Sequence, residues 1–548
     1  MFKESQKVRQ INMDDQYHSF PKYVREALHN SWAEFFFEHI FRNIDESQFS
    51  VLYSENYSRP NAPVNLLVGL LFLKELNCNT DEELIGSLYF DYRVQYALGI
   101  TDFDKERICI NTIGNFRKRL VEYAEVTGED LFHQEVASLS EKLAEVAEMD
   151  TSLARQDSMM ISANCKRMGR MELFYTVNAN VVKALNKHDE NLLPETCQHY
   201  LRKDDKNDHI YRTRNEDAEN KLQRLLRESV ELLQVIPESL KESTEYNNLI
   251  RLLSEQTETT DDGGWNLKDG KDLSAKSLQN PSEPDATFRR KGKKDSIGYA
   301  LNFVEARDEK KNLGLILHHE QQQNSISDVE FGNNTLEAPV AEKVKYIAND
   351  GGYFSSANIE KANSKGIKMS FSALTGKKEV GISGICKFEI DEDIQRIVKC
   401  PAGHRPKQTK YNEGNQTYSA KFPKDLCEKC PMAAQCPIKR SSRYNQIKFT
   451  RKKYITDLSR CEIGTEEHIR LSRFRAGVEG VPSVLRRMYN IDRIPVRGLN
   501  RSRIWVDAKI MAYNFRAFYA YCRRSGLQLL ADYFIKVVWN CRRMLLAN

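Results

Sequence analysis

Residues 344–353 read Val344-Lys-Tyr-Ile-Ala-Asn-Asp350-Gly-Gly-Tyr353, an apolar run that closes on an aspartate and two glycines. A second stretch, Arg155-Gln-Asp157-Ser-Met-Met-Ile161, places another aspartate beside a short apolar run. A carboxylate at the end of a buried strand is exposed on a rigid base, which suits a hard oxygen ligand for Mg²⁺. The two stretches therefore predict strands that present Asp157 and Asp350 to a metal.

Ordinary explanations exist for both aspartates. Taken singly, Asp157 reads as a strand-end or turn residue, and Asp150 competes with it because Met149-Asp-Thr-Ser could also end a strand. Asp350 has fewer alternatives, since Asp-Gly-Gly-Tyr after an apolar strand is otherwise a tight turn.

A third acid is expected on a helix downstream. The best candidate is Glu479, which lies in an arginine-rich segment with few acidic neighbours. Pro482 follows three residues later and would break a helix, so we expect Glu479 on a first or last helical turn. The alternatives are Glu466, Glu467 and Asp507.

The hydrophobic pattern changes near residue 150. Residues 20–145 repeat apolar positions every three to four residues and predict helices. Beyond them, 296–305 and 313–319 predict a β-hairpin, 344–348 a strand that leads to Asp350, and 367–372 a further strand. Between the last two strands, 355–366 predicts a helix that ends at a glycine.

Two intervals interrupt this order of strands and helices. Residues 205–284 begin with charged helical sequence and turn polar after 257, which predicts a helical insertion with a flexible loop. Residues 386–455 form the second interval and contain four closely spaced cysteines.

These four cysteines have the spacing of metal ligands. Cys400, Cys427, Cys430 and Cys436 form a Cys-x₂₆-Cys-x₂-Cys-x₅-Cys pattern that predicts one structural, tetrahedral Zn²⁺ site, with His404 as a possible substitute ligand. The remaining cysteines have no such spacing and are most simply core or surface thiols. They are Cys78, Cys109, Cys165, Cys197, Cys386, Cys461, Cys522 and Cys541.

Composition limits the classes of protein. A chain of 548 residues predicts several domains, and a net charge of +5 is only mildly basic. The absence of a long apolar run and of a secretory signal predicts a cytosolic chain without a membrane span. Twelve cysteines are then better explained by reduced thiols and one metal site than by disulfides.

Basic side chains cluster locally, and such clusters favour contact with DNA phosphates. The alternatives are solvated cationic helices and, in the N-terminal part, helices that only pack together. The candidate DNA-contact residues are Arg117, Lys118, Arg119, Arg289, Arg290, Lys291, Arg473, Arg475, Arg486 and Arg487.

Together, the segments around Asp157, Asp350 and Glu479 resemble the signature of bacterial insertion-sequence transposases of the DDE class. The N-terminal helical sequence, which includes Asp81-Glu-Glu-Leu84, is similar to the N-terminal domain of such transposases. The family motif also favours Asp157 over Asp150. The resemblance implies an α/β, RNase H-like core and two catalytic Mg²⁺ ions. In the family the first aspartate bridges both ions and each other acid binds one, so these roles fall on Asp157, Asp350 and Glu479.

The resemblance also implies an activity: Mg²⁺-dependent cleavage and strand transfer at the ends of an insertion sequence. The partners would be double-stranded DNA, both element ends and target, and a second copy of the chain, in the bacterial cytosol and on the nucleoid when bound to DNA. The alternatives are a catalytically inactive or domesticated DNA-binding relative and a metal-dependent nuclease without strand transfer.

The expected organisation has four parts. They are an N-terminal helical DNA-binding or dimerisation domain (1–145), a catalytic core (146–204, 285–385 and 456–548), a helical insertion (205–284) and a zinc-ribbon-like insertion (386–455).

Overall fold

The fold is described from a computed structural model. It describes residues 2–4, 16–54, 61–100, 108–211, 217–259, 264–374, 384–391, 393–433 and 436–526. The α-helices are α1 (Lys22–His29), α2 (Trp32–His39), α3 (Val64–Asn77), α4 (Asp81–Phe90), α5 (Tyr92–Ala97), α6 (Ile110–Thr127), α7 (Leu131–Val146), α8 (Arg170–His188), α9 (Ala218–Val235), α10 (Thr244–Gln256), α11 (Asp328–Glu337), α12 (Ser356–Ser364), α13 (Lys424–Glu428), α14 (Arg451–Glu462), α15 (Glu466–Ala476), α16 (Gly480–Tyr489) and α17 (Leu499–Ser525).

The strands, with the helices, make the molecule a mixed α/β protein. The strands are β1 (Leu153–Ser162), β2 (Thr257–Thr259), β3 (Trp265–Leu267), β4 (Thr287–Lys291), β5 (Lys294–Asp308), β6 (Leu313–Gln323), β7 (Tyr346–Asn349), β8 (Lys368–Phe371), β9 (Glu389–Asp391), β10 (Arg396–Lys399), β11 (Gln408–Asn412), β12 (Thr417–Phe422) and β13 (Asn445–Thr450).

The N-terminal part is helical from α1 to α7, as the apolar periodicity predicted. Helix α3 is apolar on nearly every side and is buried along almost its whole length. Helix α4 begins with a capping box, in which the Thr80 side chain accepts from the backbone N–H of Glu83 and the Glu83 carboxylate accepts from that of Thr80.

A six-stranded sheet forms the centre of the molecule. Its order is β4-β5-β1-β7-β8, and β6 also pairs with β5. The β5–β6 hairpin is antiparallel and β5 is antiparallel to β1, whereas β7 and β8 run parallel to β1. The hairpin, the strand that leads to Asp350 and the following helix and strand are therefore confirmed.

Helix α17 joins the N-terminal helices to this sheet. The Asn514 side chain on α17 donates to the carbonyl oxygen of Ile316 on β6 at 2.8 Å and accepts from its N–H at 2.8 Å. The buried Lys509 ammonium pairs with the Glu75 carboxylate on α3. One continuous hydrophobic core contains α3, α7, the sheet and α17, so the N-terminal part does not pack as a separate unit. None of the described helices combines the length and the apolar character needed to cross a membrane.

The helical insertion is larger than predicted. Its own hydrophobic core runs from Leu173 on α8 to Leu278 and includes α9 and α10. The boundary suggested by packing therefore lies near residue 170 rather than 204, because α8 buries its apolar face against α9 and not against the sheet. Residues 260–263 of the expected flexible loop lie outside the described residues.

The second insertion packs around a third hydrophobic core. Strands β9 and β10 form a pair, and β11, β12 and β13 form a three-stranded antiparallel sheet. The core extends from Ile385 to Phe449, close to the predicted interval of 386–455. A disulfide joins Cys386 to Cys461 on α14, so the expectation that these two are unpaired thiols was wrong. Their separation of 75 residues gives no sequence pattern that would reveal the pair.

Candidate metal-binding active site

The sheet aligns the two aspartates predicted from the sequence. Strand β1 pairs in parallel with β7, with Leu153 opposite Tyr346, an offset of 346 − 153 = 193 residues. The same offset separates Asp157 from Asp350, since 350 − 157 = 193. Asp350 directly follows β7, so the register places both aspartates at one level where the two parallel strands diverge.

Asp157 is largely buried, with 13% of its side chain exposed. The Nη2 atom of Arg475 lies 3.2 Å from its Oδ1 atom. Burial raises the pKa of the Asp157 carboxyl, Arg475 opposes that rise, and the charges of Glu479 and Asp350 add to it. The electrostatic influence of both acids on Asp157 indicates that the three carboxylates share one region.

Glu479 lies at the end of a 3₁₀ turn, Gly477–Glu479, between α15 and α16. This position matches the helical turn expected from Pro482. Its Oε1 atom is 3.3 Å from Nη1 of Arg475, so a single guanidinium contacts both Asp157 and Glu479. Glu479 has 66% of its side chain exposed, which leaves it accessible from solvent.

Three of the alternative acids have other partners. Asp150 accepts from the backbone N–H of Ser152 at 3.0 Å in the turn before β1. Glu467 pairs with Lys368 at 3.0 Å. Asp507 is buried beside two histidines. None of these contacts joins the Asp157 group.

Asp350 is held by a residue just after β8, the strand that pairs with β7. The hydroxyl of Ser372, just after β8, donates to Oδ1 of Asp350 at 3.0 Å. Strands β7 and β8 thus fix one carboxylate oxygen, and the 3₁₀ turn Gly351–Tyr353 leads the chain away from the site.

A further acid near this region, Asp328 at the first turn of α11, was missed in the sequence. Its Oδ1 atom accepts from the hydroxyl of Ser158, the neighbour of Asp157, at 2.9 Å. Its Oδ2 atom would lie 2.8 Å from a Cβ placed on Gly352, so the glycine permits this close approach. Ser327 and Glu330 identify a helix start, but no sequence pattern indicates that Asp328 approaches Ser158.

A buried ion pair supports the Glu479 side of the site. Arg155 precedes Asp157 by two residues and lies on the same face of β1. Its Nε atom lies 2.5 Å from Oε2 of Glu305. Its Nη1 atom donates to the carbonyl of Phe474 at 3.1 Å. A Cβ on Gly477 would lie 2.3 Å from that Nη1 atom. Arg155 therefore fixes the end of α15, which carries Arg475 and precedes Glu479.

The basic residues proposed for DNA contact differ in their surroundings. Arg117 is buried, donates to both carboxylate oxygens of Asp81 at 2.8 Å and lies over the Trp505 ring, so it does not present a free cation to DNA. That prediction was wrong for Arg117, because the residue lies on the buried face of α6.

The remaining basic candidates are mostly at the surface. Exposed positions are Lys118, Arg119, Arg290, Lys291, Arg473, Arg486 and Arg487. Arg290 pairs with Asp295 at 2.6 Å, and Arg486 pairs with Asp492 at 3.0 Å. Arg289 is half-buried and donates to the carbonyls of Asn324 and Ile326. Arg475 belongs to the acidic site itself.

The four predicted zinc ligands surround one small pocket. Cys400, Cys427, Cys430 and Cys436 line it together with His404. Burial raises the pKa of the Cys436 thiol, and the other three cysteines add to the rise. In the described part of the structure, however, the four sulfur atoms do not all lie within 4.8 Å of one another. Zinc binding at this pocket therefore stays a prediction.

Comparison with protein families identifies two transposase regions. Residues 399–518 match the model of the Transposase DDE domain, and residues 26–119 match that of the Transposase domain (DUF772). The resemblance to insertion-sequence DDE transposases is confirmed. A search of curated proteins and a search of solved structures gave no match.

The two matched regions cover different parts of this DDE-transposase-like chain. The DDE-domain match contains Glu479, Arg475 and the four clustered cysteines, whereas Asp157 and Asp350 lie outside both matches. The other match covers the N-terminal helices from within α1 to α6. The two matches indicate a transposase, and a DDE domain implies a DNA-processing enzyme in general. The roles of individual acids rest on the geometry around Asp157.

Proposed function

We propose that the chain is a transposase that cleaves DNA at the ends of its own element and joins those ends to a target. The observation that carries this proposal is the convergence of Asp157, Asp350 and Glu479, brought together from β1, the end of β7 and the turn after α15.

The donor set fits divalent cations. Three carboxylates supply oxygen atoms, the ligands that Mg²⁺ prefers. Arg475 contacts both Asp157 and Glu479, so its guanidinium holds these two carboxylates near one another. Metal binding would favour the ionised form of Asp157, whose pKa is raised by burial.

We assign the residues the following roles. Asp157, Asp350 and Glu479 would together hold the Mg²⁺ ions through their carboxylate oxygens. When bound, the ions would activate an oxygen nucleophile and neutralise charge at the phosphate. Ser372 and Arg155 orient Asp350 and the Glu479 turn, respectively.

The strand order also supports the proposal. An antiparallel β6-β5-β1 meander followed by parallel β7 and β8 is the arrangement that we interpret as an RNase H-like core. In that arrangement the acids at β1 and after β7 belong on adjacent central strands, as found here.

DNA would follow the exposed arginines beside the site. Arg486 and Arg487 lie on the last turn of α16, a few residues after Glu479, and Arg473 lies shortly before it. Such side chains bind phosphates irrespective of sequence. Two element ends must be brought together, so we propose a homodimer that acts in the bacterial cytosol.

We propose that the cysteine pocket holds one structural Zn²⁺. Four thiolates complete a tetrahedral site and leave no position open for catalysis. The pocket belongs to the third hydrophobic core, against which Cys400, Cys427 and Cys436 pack. Its zinc would stabilise the second insertion rather than act on DNA.

An in vitro reaction tests the proposed activity against its alternatives. Purified chain is incubated with Mg²⁺, a labelled DNA fragment that carries the element's ends with their flanks, and a supercoiled target plasmid. A transposase yields cleaved ends and covalent joints to the plasmid. Cleavage without joints would indicate the nuclease, and binding without cleavage would indicate an inactive relative.

A further inference from the structure

A second group of metal-ligand side chains lies away from the aspartates, between three parts of the molecule. His133 is on α7, His319 on β6 and Asp507 on α17. One nitrogen of each imidazole and an oxygen of the carboxylate all lie within 4.8 Å of one another. The group therefore joins the N-terminal helices, the central sheet and the long C-terminal helix.

The contacts within the group converge on a single oxygen. Nδ1 of His133 lies 2.9 Å from Oδ1 of Asp507, and Nε2 of His319 lies 2.5 Å from the same oxygen. The other oxygen, Oδ2, is buried and has no hydrogen-bond partner among the described residues. Only 2% of the Asp507 side chain is exposed. A buried carboxylate oxygen without a partner is costly, so this arrangement lacks one interaction.

A comparison within the same chain shows what a satisfied group looks like. His199, Asp205 and His209 form a similar set in the helical insertion. There, Oδ2 of Asp205 contacts His199 at 2.8 Å and accepts from the Tyr175 hydroxyl at 2.8 Å, and Oδ1 lies 3.3 Å from His209. Both oxygens of Asp205 are engaged, so that group is complete without an ion.

We propose that His133, His319 and Asp507 bind one divalent transition-metal ion of the zinc class. Two imidazole nitrogens and one carboxylate are a recurrent three-residue set for Zn²⁺, with water in the fourth position. Ligand atoms about 2.0–2.2 Å from a tetrahedral ion are about 3.3–3.6 Å apart. The present separations of 2.9 and 2.5 Å would therefore lengthen by about 0.4–1.1 Å when an ion binds.

Access and charge agree with an ion at this position. His133 has 33% of its side chain exposed, so an ion can reach the group from solvent. The Asp507 carboxylate is buried between the two imidazoles and supplies a negative charge that attracts a cation.

The ion would act as a structural clamp. None of its ligands belongs to the cysteine cluster of residues 400–436 or to the three proposed catalytic acids, so the inference does not depend on the proposed activity. Because the ligands come from α7, β6 and α17, binding would favour the folded arrangement of all three elements over the unfolded chain.

Zinc counting on the full chain tests the clamp. Wild type and a His133→Gln variant, which keeps a donor near Asp507 but loses the imidazole, are stripped with chelator, reloaded with Zn²⁺, desalted and analysed for metal. We expect His133→Gln to retain one zinc fewer per chain than wild type. The control is His39→Gln, since His39 also contacts α17, through the Phe518 ring, but belongs to no such ligand group in the described part of the chain.

A second readout separates this ion from a cysteine-bound one. Zn²⁺ should raise the Tm of stripped wild type and of His39→Gln by several degrees more than that of His133→Gln. Wild type and His133→Gln are also loaded with Co²⁺ instead of Zn²⁺. The difference between their absorption spectra, wild type minus His133→Gln, should show d–d bands but no sulfur charge-transfer bands. Equal zinc content, together with identical Co²⁺ spectra in wild type and His133→Gln, would overturn the proposal.

Discussion

Replacement of Arg155 by methionine should destabilise the catalytic core strongly. The side chains of Arg155 and Glu305 are 7% and 1% exposed, and their ion pair spans 2.5 Å. Without Arg155, the only hydrogen bond that the Glu305 carboxylate keeps among the described residues is the one that the Tyr513 hydroxyl donates at 3.3 Å. Breaking a buried pair in this way costs about 3–5 kcal/mol, because one charge stays buried without its counter-ion.

A double-mutant cycle separates the ion pair from simple loss of packing. Replacing both partners in Arg155→Met/Glu305→Met removes the stranded charge, so we expect most of the stability to return and a coupling energy of about 3 kcal/mol. The assay is urea unfolding of the full chain, with the shift in midpoint converted through the measured m-value. Arg93→Met is the control, because Arg93 pairs with Asp91 at the surface and should cost at most about 1 kcal/mol.

The same variants test whether Arg155 positions the residues of the proposed active site. Arg155 also holds the carbonyl of Phe474, next to Arg475, so the double variant should regain stability but not DNA cleavage. A displacement near 1 Å at a reacting group can lower a rate about 100-fold. If Arg155→Met cost no more stability than Arg93→Met, or if the double variant cleaved DNA at the wild-type rate, the supporting role of Arg155 would be refuted.

Three further predictions concern other parts of the molecule. Burial raises the pKa of Glu135 to about 7, so the stability gained from its bound proton is full below about pH 4.5 and is lost as pH rises through 7. Glu135→Gln should therefore reduce the fall in unfolding free energy between pH 5 and 8 by about 2–3 kcal/mol, and an unchanged pH profile would contradict this. Arg486→Gln/Arg487→Gln should weaken binding to all DNA sequences by a similar factor and lower the slope of log affinity against log salt by about 0.9 per lost contact, whereas a loss confined to the terminal repeats would indicate base recognition. Cys430→Ser should remove one zinc per chain and destabilise the second insertion by several kcal/mol, and unchanged metal content would count against the cysteine site.

Local sequence patterns were sufficient for the strands but not for the position of Asp157 in its strand. A short apolar run that ends in polar residues and glycine identifies β7, because a buried strand must stop where its side chains meet solvent. Asp157 was expected at a strand end but lies within β1, where it pairs with Phe303 of β5. The level alignment of Asp157 with Asp350 could not be predicted, since register depends on how β7 packs beside β1 across an interval of 193 residues.

Arg117 shows a signal that was present but not used. It lies four residues after Ile113 and three before Leu120, on the apolar stripe of α6, and all three are buried. A basic residue on such a stripe is expected to meet a buried partner, here Asp81. Asp328 gave no comparable signal, because its approach to Ser158 depends only on the packing of α11 against the sheet.

The boundary of the helical insertion illustrates another limit. Helix α8 is amphipathic, and its sequence alone does not indicate whether its apolar face covers the sheet or the helices that follow. The distinction is tertiary, because both surfaces would bury the same residues from Leu173 onward.

Cleavage by three charge-removing variants tests the central claim most directly. Asp157→Asn, Asp350→Asn and Glu479→Gln each remove one negative charge from the proposed Mg²⁺ site and nearly preserve side-chain shape. Asp150→Asn is the matched control, since Asp150 accepts from Ser152 in the turn before β1 and stands outside the group. Cleavage of element-end DNA should be lost in the three variants and retained in the control, with DNA binding intact in all four. Retained cleavage in Asp157→Asn or Asp350→Asn would contradict the assignment of the active site.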